Sequence, residues 1–354
     1  MRIEELWREL EEARGETRER GDGRGKAWAL RLAKPDPACA LHAGVELATG
    51  RRGLLLRVER RLVPAKRLWP ACRGLEVIAA PMDGGTALFG VALKDVRQGD
   101  LFTVLAEDLT RRVTEADTVA AQVSALLGGL ARWQKFLAAS LDGLTQEQQR
   151  GLWSELHFLR EHLWPALGAT AVDGWRGGQR AHQDFQLARG AVEVKTTLAK
   201  QPQTVRVTSE RQLDASRWAA LFLHVLALDM RDAESSGAVL SSVTTLPEMV
   251  ASLRAALAKE AMAKEQFEDE LLAYGYLDLH APHYAGRGYA VRSSKFFRVE
   301  PKFPCVVEAD LRAGVGDVNY ALSVSACEPF KVKAEAVVTA LTELSRKTRR
   351  KRYA

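Results

Sequence analysis

Residues 181–197 constrain this chain more than any other stretch. They read Ala-His-Gln-Asp-Phe-Gln-Leu-Ala-Arg-Gly-Ala-Val-Glu-Val-Lys-Thr-Thr, two short strand-like runs either side of Gly190. Asp184 sits on the first run, and Glu193 and Lys195 sit two residues apart on the second. Side chains alternate along a strand, so Glu193 and Lys195 share one face while Val192 and Val194 take the other. With Gly190 supplying the turn, an antiparallel return brings Asp184 within about one register step of the pair. Two carboxylates and an ammonium on one patch of sheet suit a divalent cation and a phosphodiester. Asp184 and Glu193 provide hard oxygen ligands for Mg2+, with Mn2+ able to substitute, and the Val194 carbonyl adds a third oxygen. Lys195 is placed to orient or help deprotonate an attacking water and to offset transition-state charge.

Composition narrows the setting. The chain has 354 residues, enough for roughly two or three domains. No apolar stretch approaches the roughly 20 residues that span a bilayer. The opening Met-Arg-Ile-Glu-Glu-Leu-Trp lacks the apolar core of a signal peptide. Cys39, Cys72, Cys305 and Cys327 are scattered, with no Cys-x-x-Cys, so neither a zinc site nor a disulfide framework is signalled and a reducing cytoplasm is expected. The net charge of +6 equals the six basic residues of Arg346-Lys347-Thr348-Arg349-Arg350-Lys351-Arg352, so the rest of the chain is balanced. Such an arm is suited either to phosphate binding without sequence reading or to simple solubilisation.

Periodicity divides the chain. Residues 3–20 form an amphipathic helix, followed by the Gly-rich break Gly21-Asp22-Gly23-Arg24-Gly25. Short punctuated strands follow over 27–105, and the pattern turns helical over 101–141. Thr145 and Gln148 form a capping box opening a helix through Leu152, Leu156, Leu159 and Leu163 that stops near Pro165. The hairpin is then followed by a strand at 204–208, a helix at 210–220 and an apolar strand at 220–228. Helix is expected over 246–275, strands over 284–328 and a last helix over 332–345. The expected organisation is a β-rich domain at 1–112, a helical linker at 113–142, an α/β core at 143–235, an α+β region at 236–345 and a basic tail at 346–354.

Asp-x8-Glu-x-Lys has the form of the PD-(D/E)XK motif, and over about residues 145–230 the chain resembles the restriction-endonuclease-like superfamily. The wider layout, with Gly-Leu-Trp-Ser-Glu-Leu at 151–156 and Ser-Glu-Arg-Gln-Leu-Asp at 209–214, is similar to a bacterial family of PD-(D/E)XK motif proteins found with restriction-type defence genes. The resemblance implies a central mixed sheet flanked by helices, Mg2+-dependent DNA cleavage in defence, and partner proteins such as an ATPase or a methyltransferase. It also implies roles for Glu155, on the first core helix near the metals, and for Gln212 as a positioning polar residue, with Glu210 second. Asp184 follows Gln183 where the motif often has proline.

Each assignment has a plainer competitor. Glu-x-Lys recurs at Glu300-Pro301-Lys302, where proline removes a ladder hydrogen bond. Asp173 is a rival first aspartate in a stretch that reads as loop. Glu155, flanked by Leu152 and Leu159, faces a partly buried side, where a carboxylate needs a partner. Gln212 has the position of a cap as well as of a site residue. His182 neighbours Asp184 and is either a substrate contact or a surface histidine. His280 and His283 have metal-like spacing broken by Pro282. The eight tryptophans offer stacking platforms, those at helical spacing such as Trp133 and Trp153 being core residues. No P-loop is present, so ATP-driven movement would need another chain. Two functions stay open: a Mg2+-dependent DNA endonuclease, with a C2 homodimer matching duplex symmetry, or a silent nuclease-fold scaffold that binds DNA within a larger defence complex.

Overall fold

The computed structural model describes residues 3–19, 28–33, 39–72, 74–94, 98–139, 143–179, 181–232 and 243–352. The Gly21–Gly25 break lies outside them. The chain divides into two compact units, Met1–Leu141 and Asp142–Ala354.

The first unit opens with α1 (Ile3–Glu19), then β1 (Trp28–Leu32), β2 (Leu41–Glu46), β3 (Arg52–Glu59), β4 (Leu75–Pro81) and β5 (Thr86–Leu93), and ends with α2 (Gly99–Thr114) and α3 (Val119–Ala139). The strands make one antiparallel sheet in the order β1-β2-β3-β5-β4. Trp7 and Phe102 stack at 5.1 Å, and Arg52 ties the sheet to α1 through Glu4 and Glu11 at 2.9 and 2.7 Å. The helix expected as a separate linker over 113–142, α3, belongs to this unit.

The second unit carries the hairpin. It begins with α4 (Gln146–Phe158), opened by the Thr145–Gln148 capping box, and continues through a π-helical turn at Leu159–Leu163 into α5 (Trp164–Leu167). There follow β6 (Phe185–Leu187), β7 (Gly190–Thr197), β8 (Thr204–Val207), β9 (Ala220–Asp232), β10 (Thr244–Thr245), α6 (Leu246–Ala256), α7 (Ala261–Tyr274), α8 (Ala281–Ala285), β11 (Arg287–Val299), β12 (Tyr320–Ser323), β13 (Lys331–Val332) and α9 (Ala334–Arg352). The main sheet runs β10-β11-β9-β7-β6, with β13 on β11. It is mixed, because β7 and β9 are parallel while the other pairs are antiparallel.

Alternation along β7 sets its two environments. Val192 and Val194 join a core with Leu156, Phe158, Phe222 and Leu226, whereas Ala191 joins Val205, Val207, Leu221, Leu223 and Val225. Burying such aliphatic side chains stabilises the fold by about 1.5–3 kcal/mol each. The second core lies beside the separate β8–β12 pair.

Four expectations change here. β9 and β11 pair from Leu221 to Asp232, so residues beyond 235 complete the sheet that holds the hairpin. The helix expected over 210–220 reduces to a short 3-10 turn, Ala215–Arg217, because Asp214 caps the Ser216 amide at 2.9 Å and the chain then re-extends into β9. The basic run continues α9 to Arg352. Gly190 opens β7 instead of turning the chain; the left-handed residue of the turn is Ala188, with φ 55°. Gly190 is small for a packing reason, since a Cβ there would lie 2.6 Å from Leu341 Cδ2 on α9.

Candidate active site

The hairpin register delivers the expected convergence. Phe185 pairs with Val192, so continuing the ladder by one residue puts Asp184 opposite Glu193. Asp184 lies in the bend just before β6 rather than within it. Its Oδ2 accepts a hydrogen bond from the Val194 amide at 2.8 Å, and its own carbonyl accepts from the Arg176 amide at 2.7 Å. The carboxylate is thereby fixed against the backbone of the residue between Glu193 and Lys195. Lys195 Nζ lies 2.7 Å from Glu193 Oε1, with side-chain exposures of 15% and 1%.

Burial dominates the electrostatics. Removal from water, followed by the field of Asp184, lifts the Glu193 carboxyl to about 8 despite the opposing Lys195 charge. Asp184 is raised by burial against the pull of Lys195 and the Val194 amide. Burial alone would lower the Lys195 ammonium, but Glu193 and Asp184 outweigh it and leave it raised. Lys195 is therefore a fixed cation at neutral pH, better suited to orienting water and offsetting charge than to taking a proton.

Glu155 comes from α4; Leu152 on that helix and Leu159 in the π-helical turn after it are fully buried, and Glu155 itself is 5% exposed. Its Oε2 accepts from Trp175 Nε1 at 2.8 Å, and the Tyr274 hydroxyl also donates to it. Burial and then the Asp184 charge raise its carboxyl well above the ordinary range, with Glu193 adding to the effect. Small residues make the room. A Cβ on Gly177 would fall 1.9 Å from Glu155 Oε2, and one on Gly151, a turn earlier on α4, would fall 2.9 Å from the Tyr274 hydroxyl. The Trp175 segment is held to α7 by Gln179, which bonds Glu270, and by Trp175 against Phe267, with ring centroids 5.6 Å apart. Arg150, also on α4, donates to Thr196 Oγ1 at 3.1 Å and ties the helix to β7.

Other expected residues fall elsewhere. Gln212 Oε1 accepts from the Thr208 amide at 2.8 Å and its hydroxyl at 3.2 Å, which makes it an organiser of its own turn. Glu210 Oε2 accepts from the Val318 amide at 3.0 Å. Asp173 is exposed, and Glu300-Pro301-Lys302 forms a turn after β11 in which Lys302 has φ 75°. His182 is exposed beside the site, and Trp133 and Trp153 are core residues. Trp175, Tyr274, Gly177 and Gly151 escaped the sequence reading. The one available signal was that a buried Glu155 requires donors from somewhere.

The donor set can be weighed against a divalent cation. Neither Glu193 oxygen meets a well-aligned hydrogen-bond donor, although both are buried. Among the described residues no three His, Cys, Asp or Glu side chains are arranged to hold a metal ion by themselves. Mg2+ is commonly held by one or two carboxylates, with water and substrate phosphate completing its shell. Asp184 and Glu193 fit that mode, and Glu155 stands beside them as a neighbour already bonded to Trp175 and Tyr274.

A mixed sheet with an aspartate before one strand and Glu-x-Lys on the next, backed by a helix bearing a buried glutamate, defines a restriction-endonuclease-like α/β core. Sequence comparison agrees. The model of the family described as "Putative PD-(D/E)XK family member, (DUF4420)" matches residues 3–325, nearly the whole chain, and the chain belongs to that family. Comparison with curated proteins and with solved structures finds no match.

Proposed function

We propose that the protein is a Mg2+-dependent DNA endonuclease, with Mn2+ able to substitute, acting in bacterial restriction-type defence. The observation that carries this reading is Asp184 set opposite Glu193 with Lys195 ion-paired to it at 2.7 Å. Asp184 and Glu193 would hold the cation, with the Val194 carbonyl as a further oxygen. When bound, the cation supplies Lewis-acid polarisation of the phosphate and acidifies water. Lys195 orients the attacking water and offsets the charge that develops on the phosphate. Glu155, whose carboxyl burial raises, supports the pair from beside it and is held there by the Trp175 and Tyr274 bonds. Gln212 acts at a remove, by shaping the 208–212 turn.

Cleavage of both strands calls for two sites or two visits, which a C2 homodimer supplies. Substrate selection would then involve other products of the same defence operon, an ATPase or a methyltransferase. The silent-scaffold reading loses ground because the aspartate, glutamate and lysine are all present and converge. Among the described residues no helix is long and apolar enough to cross a membrane, and the reading needs no membrane partner.

The test is incubation of supercoiled plasmid with purified protein and Mg2+, beside Asp184→Ala and Lys195→Ala, with and without neighbouring gene products. Nicking by the parent and loss in both variants supports the reading. Equal nicking by all three overturns it.

A further inference from the structure

A cavity of about 410 Å³ opens against the segment that carries Asp184, within the range typical of ligand pockets. One wall comes from the segment that carries Asp184, through His182, Gln183 and Gln186. The facing wall is the loop from β8 to β9, through Arg211, Arg217 and Trp218. Gln186 pairs with Ala191, and continuing that ladder puts Asp184 opposite Glu193, so the two side chains fall on the side of the sheet that carries Ala191 and Glu193. One wall of the cavity thus belongs to the same short segment that carries Asp184.

The walls are built features. Gln183 is 3% exposed, and its Nε2 donates to the carbonyls of Arg211 at 2.8 Å and Gln212 at 3.2 Å. Gln186 Nε2 reaches back to Gln183 Oε1 at 3.4 Å. Arg211 Nη2 is 3.2 Å from Glu308 Oε1, which draws a third segment into the rim. Trp218 packs one side against the Leu213 and Leu221 core and is otherwise partly exposed at the cavity.

This set matches an unstacked nucleobase better than a metal or an apolar ligand. The indole offers a stacking surface that any base can use. Amide and carboxylate groups from Gln186, Asp214 and Glu308 can read a base edge, and Arg217, exposed at the rim, can take a flanking phosphate. We propose that the cavity receives a base of the DNA strand, turned out of its stack, next to the phosphate positioned at Asp184, Glu193 and Lys195. The proposal rests on the nuclease reading and deepens it: substrate choice would depend on the identity or modification of that one base, and on how readily it leaves the stack.

The experiment uses the full chain carrying Asp184→Asn, so that DNA stays uncut, with Trp218→Ala, Trp218→Phe or Arg217→Ala added. Binding of a labelled duplex is followed by fluorescence anisotropy, and a 5-iodouracil duplex is photocrosslinked and the attached peptide mapped. Trp218→Ala should weaken binding about ten- to hundredfold, while Trp218→Phe keeps the stacking surface and most of the affinity. Arg217→Ala should reduce the salt dependence of binding by roughly one counterion. The crosslink should fall on Trp218. A folded Trp218→Ala that binds like its parent, or crosslinks that map away from the β8–β9 loop, overturn the proposal. Where Trp218→Ala does not fold, the phenylalanine variant and the crosslink decide. These results alongside intact plasmid nicking by the Asp184-bearing protein would overturn the cavity alone; absence of DNA binding in every form would overturn both readings.

Discussion

Glu193→Gln isolates the electrostatic cost on which the site is built. An acid whose folded value is raised is protonated in the folded state over a range where the unfolded chain has already released its proton. Stability therefore falls as pH rises from the unfolded value, near 4.5, and levels off above the folded value, about 8. At pH 7 the unfolded carboxyl has been ionising for roughly 2.5 pH units, at about 1.4 kcal/mol each, so Glu193 costs the cation-free fold about 3 kcal/mol relative to acid pH. That is a large part of a typical total of roughly 5–15 kcal/mol. Glutamine has the same shape and no proton to lose, so this slope should vanish.

Urea unfolding of parent and variant in EDTA, from pH 5 to pH 8.5, is the assay. The parent should lose about 2.5 kcal/mol more than Glu193→Gln between pH 5 and 7, and roughly 1 kcal/mol more by pH 8. Unpairing Lys195 adds a cost to the variant that is constant over this range, so the slope carries the answer and the offset does not. Mg2+ should restore the parent at pH 8, by favouring the ionised carboxylate, and leave the variant unmoved. Parallel pH slopes for the two proteins, or a parent that gains stability relative to the variant through this window, would refute the electrostatic reading of the site.

Three further substitutions separate the parts. Trp175→Phe removes the indole N–H that bonds Glu155, and leaving that acceptor short of a donor should cost about 1–3 kcal/mol in urea melts. Gly177→Ala places a Cβ 1.9 Å from Glu155 Oε2, so it should cut nicking activity sharply while circular dichroism still reports a folded chain. Gln212→Ala should cost about 1 kcal/mol by loss of the Thr208 bonds and leave calorimetric Mg2+ affinity unchanged; a large fall in affinity would instead make Gln212 a positioning residue of the active site.

What was legible in the sequence is what depends on neighbours along the chain. Alternation on β7 separates Val192 and Val194 from Glu193, and the short hairpin sets Asp184 opposite Glu193. The Thr145–Gln148 capping box needs only four consecutive residues, and it forms as expected. Turn chemistry was harder. Glycine is the natural turn residue, yet Ala188 takes the left-handed position and Gly190 is spent on contact with α9, more than 140 residues away. The helix expected at 210–220 failed similarly, because Asp214 caps a short turn and local propensity yields to the demands of the sheet.

The surroundings of the carboxylates were not legible for a deeper reason. Asp184, Glu193 and Lys195 identify which atoms meet, but their protonation depends on how much water is excluded and on what else carries charge nearby. Both are set by contacts distant in sequence: Trp175 twenty residues from Glu155, and Tyr274 on α7, reached through the Gln179–Glu270 bond. A motif can therefore be intact while burial pushes its carboxyls toward the protonated form, as it does for Glu193 and Glu155. Binding a divalent cation must release protons from it, so apparent Mg2+ affinity should rise with pH up to about 8 and flatten above. Calorimetry in two buffers of different ionisation enthalpy reads that proton release directly. A heat independent of buffer would mean that the carboxyls are already ionised, and that burial does not control the site.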